Sequence, residues 1–208
     1  MCGIVGYVGT QAASGILLEG LRKLEYRGYD SAGIATVLEG EIHCVRAKGK
    51  LINLEEKLAG EDNPARIGIA HTRWATHGKP EEYNAHPHMD TAKRIAVIQN
   101  GIIENYRELR EELKSRGCEF RSDTDTEVIP HLIAEQLAVS DMSLLEAVRL
   151  VVNRLKGAFA IAVISADYPD ELIVGRQQAP VVLGFGQGEF YCASDTPALV
   201  PYTRAVLP

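Results

Sequence analysis

The chain opens Met1-Cys2-Gly3-Ile4-Val5-Gly6-Tyr7-Val8. In it, Ile4, Val5, Tyr7 and Val8 form a short apolar run punctuated by glycines, which reads as a buried strand over residues 2–8. Residues 12–25 follow with Leu17, Leu21 and Leu24 at i, i+4 and i+7, the stripe of an amphipathic helix. Residues 34–38 and 41–46 flank Glu39-Gly40 and predict a hairpin. Residues 26–33 between them predict a glycine-bracketed loop.

Farther along, residues 51–58 read as a short helix and 66–71 as a strand. Residues 72–93 lack periodicity, and a loop that long is usually functional or disordered. Residues 94–99 predict a strand with Asn100-Gly101 as a turn after it. Helices are expected over 104–116, 126–137 and 142–155, the last with Ser143 and Glu146 spaced as a capping box. Residues 158–165, 171–176, 181–184 and 189–193 read as strands joined by turns. Strands cluster and helices cluster, so a regular βαβ alternation is excluded. The expectation is one α+β unit of mostly antiparallel sheets, with helices packed outside two stacked sheets.

Composition narrows the function. The 208 residues hold 22 Lys and Arg against 28 Asp and Glu, a net charge of −6, with 46% hydrophobic residues. That balance is globular, and its acidity argues against nucleic acid or an anionic membrane surface as partner. No apolar run approaches the ~20 residues of a membrane-spanning helix. The N-terminus has no signal-peptide pattern, and a cytoplasmic setting is expected. Cys2, Cys44, Cys118 and Cys192 are widely spaced without a C-x-x-C, which predicts free thiols.

Five places could carry chemistry. If Met1 is removed, Cys2 presents a thiol and a free α-amine, nucleophile and base in one residue; alone, it could equally be an idle terminal cysteine. His71-Thr72-Arg73-Trp74-Ala75-Thr76-His77-Gly78 sets a carboxylate-binding guanidinium among hydroxyls, imidazoles and the only tryptophan. His86 and His88 flank Pro87 and, with His71 and His77, could suggest zinc; the spacing matches no zinc motif and the stretch has no cysteine, so hydrogen-bonded histidines and no metal are expected. Asn100-Gly101 could be a plain turn or an oxyanion hole. Thr124-Asp125-Thr126-Glu127 could cap a helix or bind an ammonium with a carboxylate.

These segments, with Tyr26-Arg27-Gly28-Tyr29-Asp30-Ser31-Ala32-Gly33 and Asn84-Ala85-His86-Pro87-His88, stand in an order that resembles one family over nearly the whole chain. It is the N-terminal glutaminase domains of glutamine–fructose-6-phosphate aminotransferases, class II glutamine amidotransferases of the N-terminal-nucleophile hydrolase fold. The resemblance implies a four-layer αββα sandwich and one glutaminase domain over residues 1–208. It implies Cys2 as nucleophile, with Asn100 and Gly101 as the oxyanion hole. Arg73 would take the glutamine α-carboxylate with Thr76 and His77 beside it, and Asp125 the α-ammonium. Trp74 would lie in a loop closing over glutamine, and Arg27 and Gly28 would support the Cys2 end. No cofactor is implied.

The family usually has histidine where this chain has Gln99. Strand alternation points that side chain away from Asn100, so it is expected to support the turn rather than do chemistry. The family continues into a sugar isomerase part, a partner absent from these 208 residues, and the whole enzyme is expected to be a homo-oligomer. The chain is therefore expected to be a fragment that makes glutamate and free ammonia. The alternatives are an N-terminal-nucleophile amidase for another amide, and a glutamine-binding module without turnover if Met1 is retained.

Overall fold

The computed structural model describes residues 1–208. Its first strand, β1 (Gly3–Val8), lies inside a seven-stranded sheet. The others are β2 (Ser31–Leu38), β3 (Glu41–Lys48), β4 (Ile67–Arg73), β9 (Val182–Phe185), β10 (Phe190–Ala193) and β11 (Ala205–Leu207), in the order β11-β9-β10-β1-β4-β2-β3. A second sheet runs β5-β6-β7-β8, from β5 (His88–Met89), β6 (Ile95–Gly101), β7 (Phe159–Ser165) and β8 (Tyr168–Gln177). All pairings between these strands are antiparallel.

Three apolar clusters reveal the layers. One packs Val5, Tyr7 and Ala70 of the large sheet against Leu17 and Leu21 of α1 (Ala13–Lys23) and Leu51 and Leu54 of α2 (Leu51–Leu58). A second joins Ile4, Ile67 and Ile69 of that sheet to Ala96, Ile98, Ala160 and Ala162 of the small one. The third puts Val97, Phe159 and Ile161 against α3 (Tyr106–Ser115), α4 (Val128–Val139) and α5 (Leu144–Val152). Three buried interfaces separate four layers, helix, sheet, sheet, helix, which is the αββα sandwich expected.

Period-two alternation assigns each strand residue to one interface. Along β4, Ile67 and Ile69 face the space between the sheets, and His71 continues that row. Along β6, Ala96 and Ile98 face the same space, and Asn100 continues theirs, whereas Gln99 follows Ile95 and Val97 on the helix side. The alanines let the two sheets approach closely.

Several local readings change. β2 starts at Ser31, so the last three residues of the expected 26–33 loop are strand. Asn100 and Gly101 are the last residues of β6 rather than a turn beyond it. β11 and the short β5 were not foreseen, because three and two residues are too short to show alternation. The Ser143–Glu146 capping box is formed. Helix α4 has no side-chain cap; the residues expected to cap it are engaged elsewhere.

Candidate functional site

The register of the large sheet delivers Cys2 to its place. Gly3 pairs with Thr72, so one step earlier the chain meets the end of β4, where Arg73 and Trp74 leave the sheet. There the Trp74 backbone N–H donates to Cys2 Sγ at 3.2 Å, and the thiol faces the Trp74 carbonyl at 3.5 Å. Burial pushes the Cys2 thiol up, opposed by the Trp74 N–H and the nearby Arg73 charge. Cys44 and Cys192 are driven by burial to about 11 and about 12. Met1 is 76% exposed, and its ammonium donates to the Arg27 carbonyl at 2.8 Å.

Cys2 shares a narrow cleft with Arg73, Trp74, Thr76, His77, His86, Gln99, Gly101, Thr124 and Asp125. Five of the residues singled out from sequence as substrate-binding thus border the same space as the thiol. A wider cavity of about 590 Å³, by Val8, Leu172, Phe185 and Phe190, is mainly apolar and brings no comparable set of polar groups together.

Arg73 is 3% exposed and has no carboxylate partner. Its guanidinium donates to the carbonyls of His77, Gly78 and Lys79, at 3.3 Å to Gly78 and 3.1 Å to Lys79. Backbone dipoles hold it in place and no carboxylate is paired with it, although Asp30 and Asp125 lie near enough to act on its charge, a condition that leaves room for an incoming carboxylate. Asp125 is 4% exposed, accepts the Ile103 N–H through Oδ2 at 2.7 Å, and has Oδ1 4.0 Å from His77 Nδ1. Burial raises its pKa, and the Ile103 N–H and His77 work against that rise. Asp125 is therefore anchored to β6's outgoing chain instead of capping α4.

Gly101 lines the cleft, and Asn100 stands beside Cys2 without lining it. The Asn100 side-chain Nδ2 donates to the Cys2 carbonyl at 3.2 Å, and Oδ1 lies 3.0 Å from His71 Nε2. Gly101 has φ 95°, and a Cβ there would collide with the Ala158 carbonyl oxygen, so no other residue fits. Gly28, at φ 74°, lies beneath the Trp74 ring, whose atoms would be 3.3 Å from a Cβ placed on it. Trp74 itself is 55% exposed and forms a rim. The Arg27 carbonyl accepts the Met1 ammonium, and its guanidinium lies 3.5 Å from the Ser194 carbonyl.

Some groups were missed. Asp30 accepts the Ala75 N–H at 2.5 Å, tying the 26–33 segment to the Trp74 loop. Its place in the glycine-bracketed motif was the available signal. Gln99 does face away from Asn100, yet it also borders the cleft. Its Oε1 accepts from Thr126 Oγ1 at 2.5 Å, and Nε2 has no partner. The histidines divide: His71 stacks on His86 at 4.1 Å and His86 meets His88 edge-on at 4.8 Å, all buried, while His77 stands apart against Tyr106. Burial lowers His71 and His88 to about 3, hence neutral.

Residues 71–201 match the glutamine amidotransferase domain family. Over 213 aligned residues the chain is 76% identical to glutamine–fructose-6-phosphate aminotransferase [isomerizing] of Nostoc sp. (strain PCC 9229), covering all of this chain and 34% of that protein. Its identity to the enzyme of the same name from Thermosynechococcus vestitus is 73%, with the same coverage. The chain thus spans about a third of the length of these curated relatives. Among solved structures, glutamine phosphoribosylpyrophosphate amidotransferase of B. subtilis superposes with a TM-score of 0.79 at 27% identity, over 96% of this chain and 43% of that one.

Proposed function

This chain belongs to the glutamine amidotransferase domain family, and we propose that residues 1–208 form its class II glutaminase domain, hydrolysing L-glutamine to L-glutamate and ammonia at the Cys2 cleft. The observation that carries this reading is that the Arg73 guanidinium and the Asp125 carboxylate, not paired with each other, border the cleft that holds the thiol. An amino-acid head group has one charge for each, and a plain amide has neither. This favours glutamine over other amides.

Removal of exposed Met1 frees the Cys2 amine. That amine takes the thiol proton as sulfur adds to the glutamine Cδ. The carbonyl π electrons move to oxygen, forming an oxyanion held by the Asn100 Nδ2–H and the Gly101 N–H. Collapse of this intermediate expels the amide nitrogen, which leaves as ammonia with the proton the amine carried. Water then adds to the γ-glutamyl thioester, giving its proton to the amine, and glutamate leaves as the sulfur is reprotonated. Thr76 and His77 flank the α-carboxylate, and Trp74 closes the rim over it. Arg27 and Gly28 keep the Cys2 end and the Trp74 ring in register.

In the whole protein the ammonia would pass to a sugar isomerase part and aminate fructose 6-phosphate, giving glucosamine 6-phosphate. That activity is named for relatives of which this chain matches a third. A cytoplasmic, homo-oligomeric enzyme fits that role.

The test is the intact mass of the purified protein before and after a diazoketone analogue of glutamine. A species lacking Met1 that gains one adduct on Cys2, prevented by excess glutamine, supports the reading. A processed chain that gains none overturns it. A chain retaining Met1 has an amide nitrogen in place of the base; it should bind glutamine without releasing ammonia, and full turnover by it would remove the α-amine from the mechanism.

A further inference from the structure

A side-chain amide can present either its N–H₂ or its oxygen to a substrate, and the two ends have opposite charge. An oxyanion is stabilised by the first and repelled by the second. Asn100 is therefore useful only in one of two orientations related by a rotation of its amide.

Its surroundings specify which. The Cys2 carbonyl, 3.2 Å from one end of the amide, is an acceptor, so that end must be Nδ2. Oδ1 then faces His71 Nε2 at 3.0 Å, and an oxygen accepts only if Nε2 carries the proton. His71 is fully buried on the β4 face between the sheets. Its ring is stacked on His86 at 4.1 Å and 11°. The second ring is fixed in turn, because His86 Nδ1 accepts the Gln99 backbone N–H at 3.2 Å. Two imidazoles thus grip adjacent residues at the end of β6, one by a main-chain N–H and one by the Asn100 side chain. His71 Nδ1 is bare and unpartnered, as the Nε2–H form requires.

We infer that His71 is a positioning residue for glutamine hydrolysis: its Nε2–H holds the Asn100 amide with Nδ2 toward Cys2, leaving the second Nδ2 hydrogen for the oxyanion. This rests on the proposed role of Asn100. His71 touches no substrate atom, so its removal should slow the chemical step and leave glutamine binding nearly alone.

The experiment is a double-mutant cycle in the full natural polypeptide, with rates referred to active sites titrated by the diazoketone analogue. Asn100→Ala should lower kcat about 10²- to 10³-fold. His71→Leu should lower it by about 10²-fold with KM within roughly threefold. Adding His71→Leu to Asn100→Ala should lower it by less than about threefold more, because both remove the same donor. His71→Gln, whose amide N–H₂ can reach the position of Nε2, should recover most of the loss. Additive losses, or equal impairment by Leu and Gln, would overturn the positioning role while leaving the oxyanion reading intact. An unchanged kcat in Asn100→Ala would overturn the oxyanion reading itself.

Discussion

Asp125 accepts the Ile103 backbone N–H at 2.7 Å with one carboxylate oxygen and turns the other toward His77, 4.0 Å away. One oxygen thus anchors the chain leaving β6, and the other is free for a ligand ammonium. Asp125→Asn separates these duties. Its carbonyl oxygen can still accept from Ile103, so the fold should hold, while the negative charge is gone. KM for glutamine should rise about 10- to 150-fold, from a charge-assisted hydrogen bond of about 1.5–3 kcal/mol. Steady-state kinetics at pH 7.5 tests this, and a change in Tm without a change in KM would assign Asp125 a structural role only.

Arg73 allows the mirror test. Its fork donates to the His77, Gly78 and Lys79 carbonyls while the charge stays unpaired. Arg73→Lys keeps the charge and loses the planar fork. KM for glutamine should rise roughly 10-fold or more, with a smaller effect on kcat. Glutarate γ-monoamide, which lacks the α-ammonium but keeps the carboxylate, should lose its affinity in this variant and keep it in Asp125→Asn.

How much of this was legible beforehand follows from the range of each signal. The helices of both outer layers and most strands show in local periodicity, since one buried face repeats every 3.6 or 2 residues. The site motifs show because polar and glycine-rich segments interrupt that periodicity. Partnerships across layers do not show. Nothing near His71 in sequence says that its ring meets Asn100, 29 positions away and on another sheet. Thr124-Asp125-Thr126-Glu127 stayed open for the same reason: their local pattern allows a cap or an ammonium site, whereas in the fold Thr126 bonds Gln99 and Glu127 accepts the Arg121 and Ser122 N–H groups. Local pattern identifies a hydrogen-bonding side chain, and tertiary contact chooses its partner.

Two glycines with positive φ separate backbone preference from close approach. Gly40, at φ 76° in the β2–β3 turn, has open space where a Cβ would go. Gly101, at φ 95°, has the Ala158 carbonyl oxygen there. Gly40→Ala should cost about 1 kcal/mol, the left-handed penalty alone. Gly101→Ala should cost at least about 2 kcal/mol, because the β6–β7 pairing must also shift. Urea unfolding of the two variants checks the ranking, and equal losses would show that the Ala158 contact is soft. Gly101→Ala should also depress kcat, since the same shift moves the proposed oxyanion N–H.

Acid stability should be governed first by histidines and only later by carboxylates. His71 and His88 are held at about 3 in the folded state by burial, against a usual value of 6.5. Between those values the unfolded chain binds more protons than the folded one, so stability rises with pH there. The contribution is complete above pH 6.5 and is lost as pH falls toward 3, at up to about 1.4 kcal/mol per pH unit for each ring. Glu127 is also depressed, to about 2 from 4.5, because the His131 ring 3.9 Å away and hydrogen bonds from Ser122 and the Arg121 N–H outweigh its burial. Its contribution is complete above pH 4.5 and is lost below that. Unfolding free energies at pH 7.5, 6.5, 5.5 and 4.5 should therefore fall by less than about 1 kcal/mol over the first interval and more steeply over the next two, with the depressed carboxylates adding only at the low end. His88→Gln, which cannot take a proton, should flatten that fall by up to about 1.4 kcal/mol per pH unit. A slope that appears only below pH 4.5, or is untouched by the substitution, would show that the buried rings exchange protons with solvent while folded.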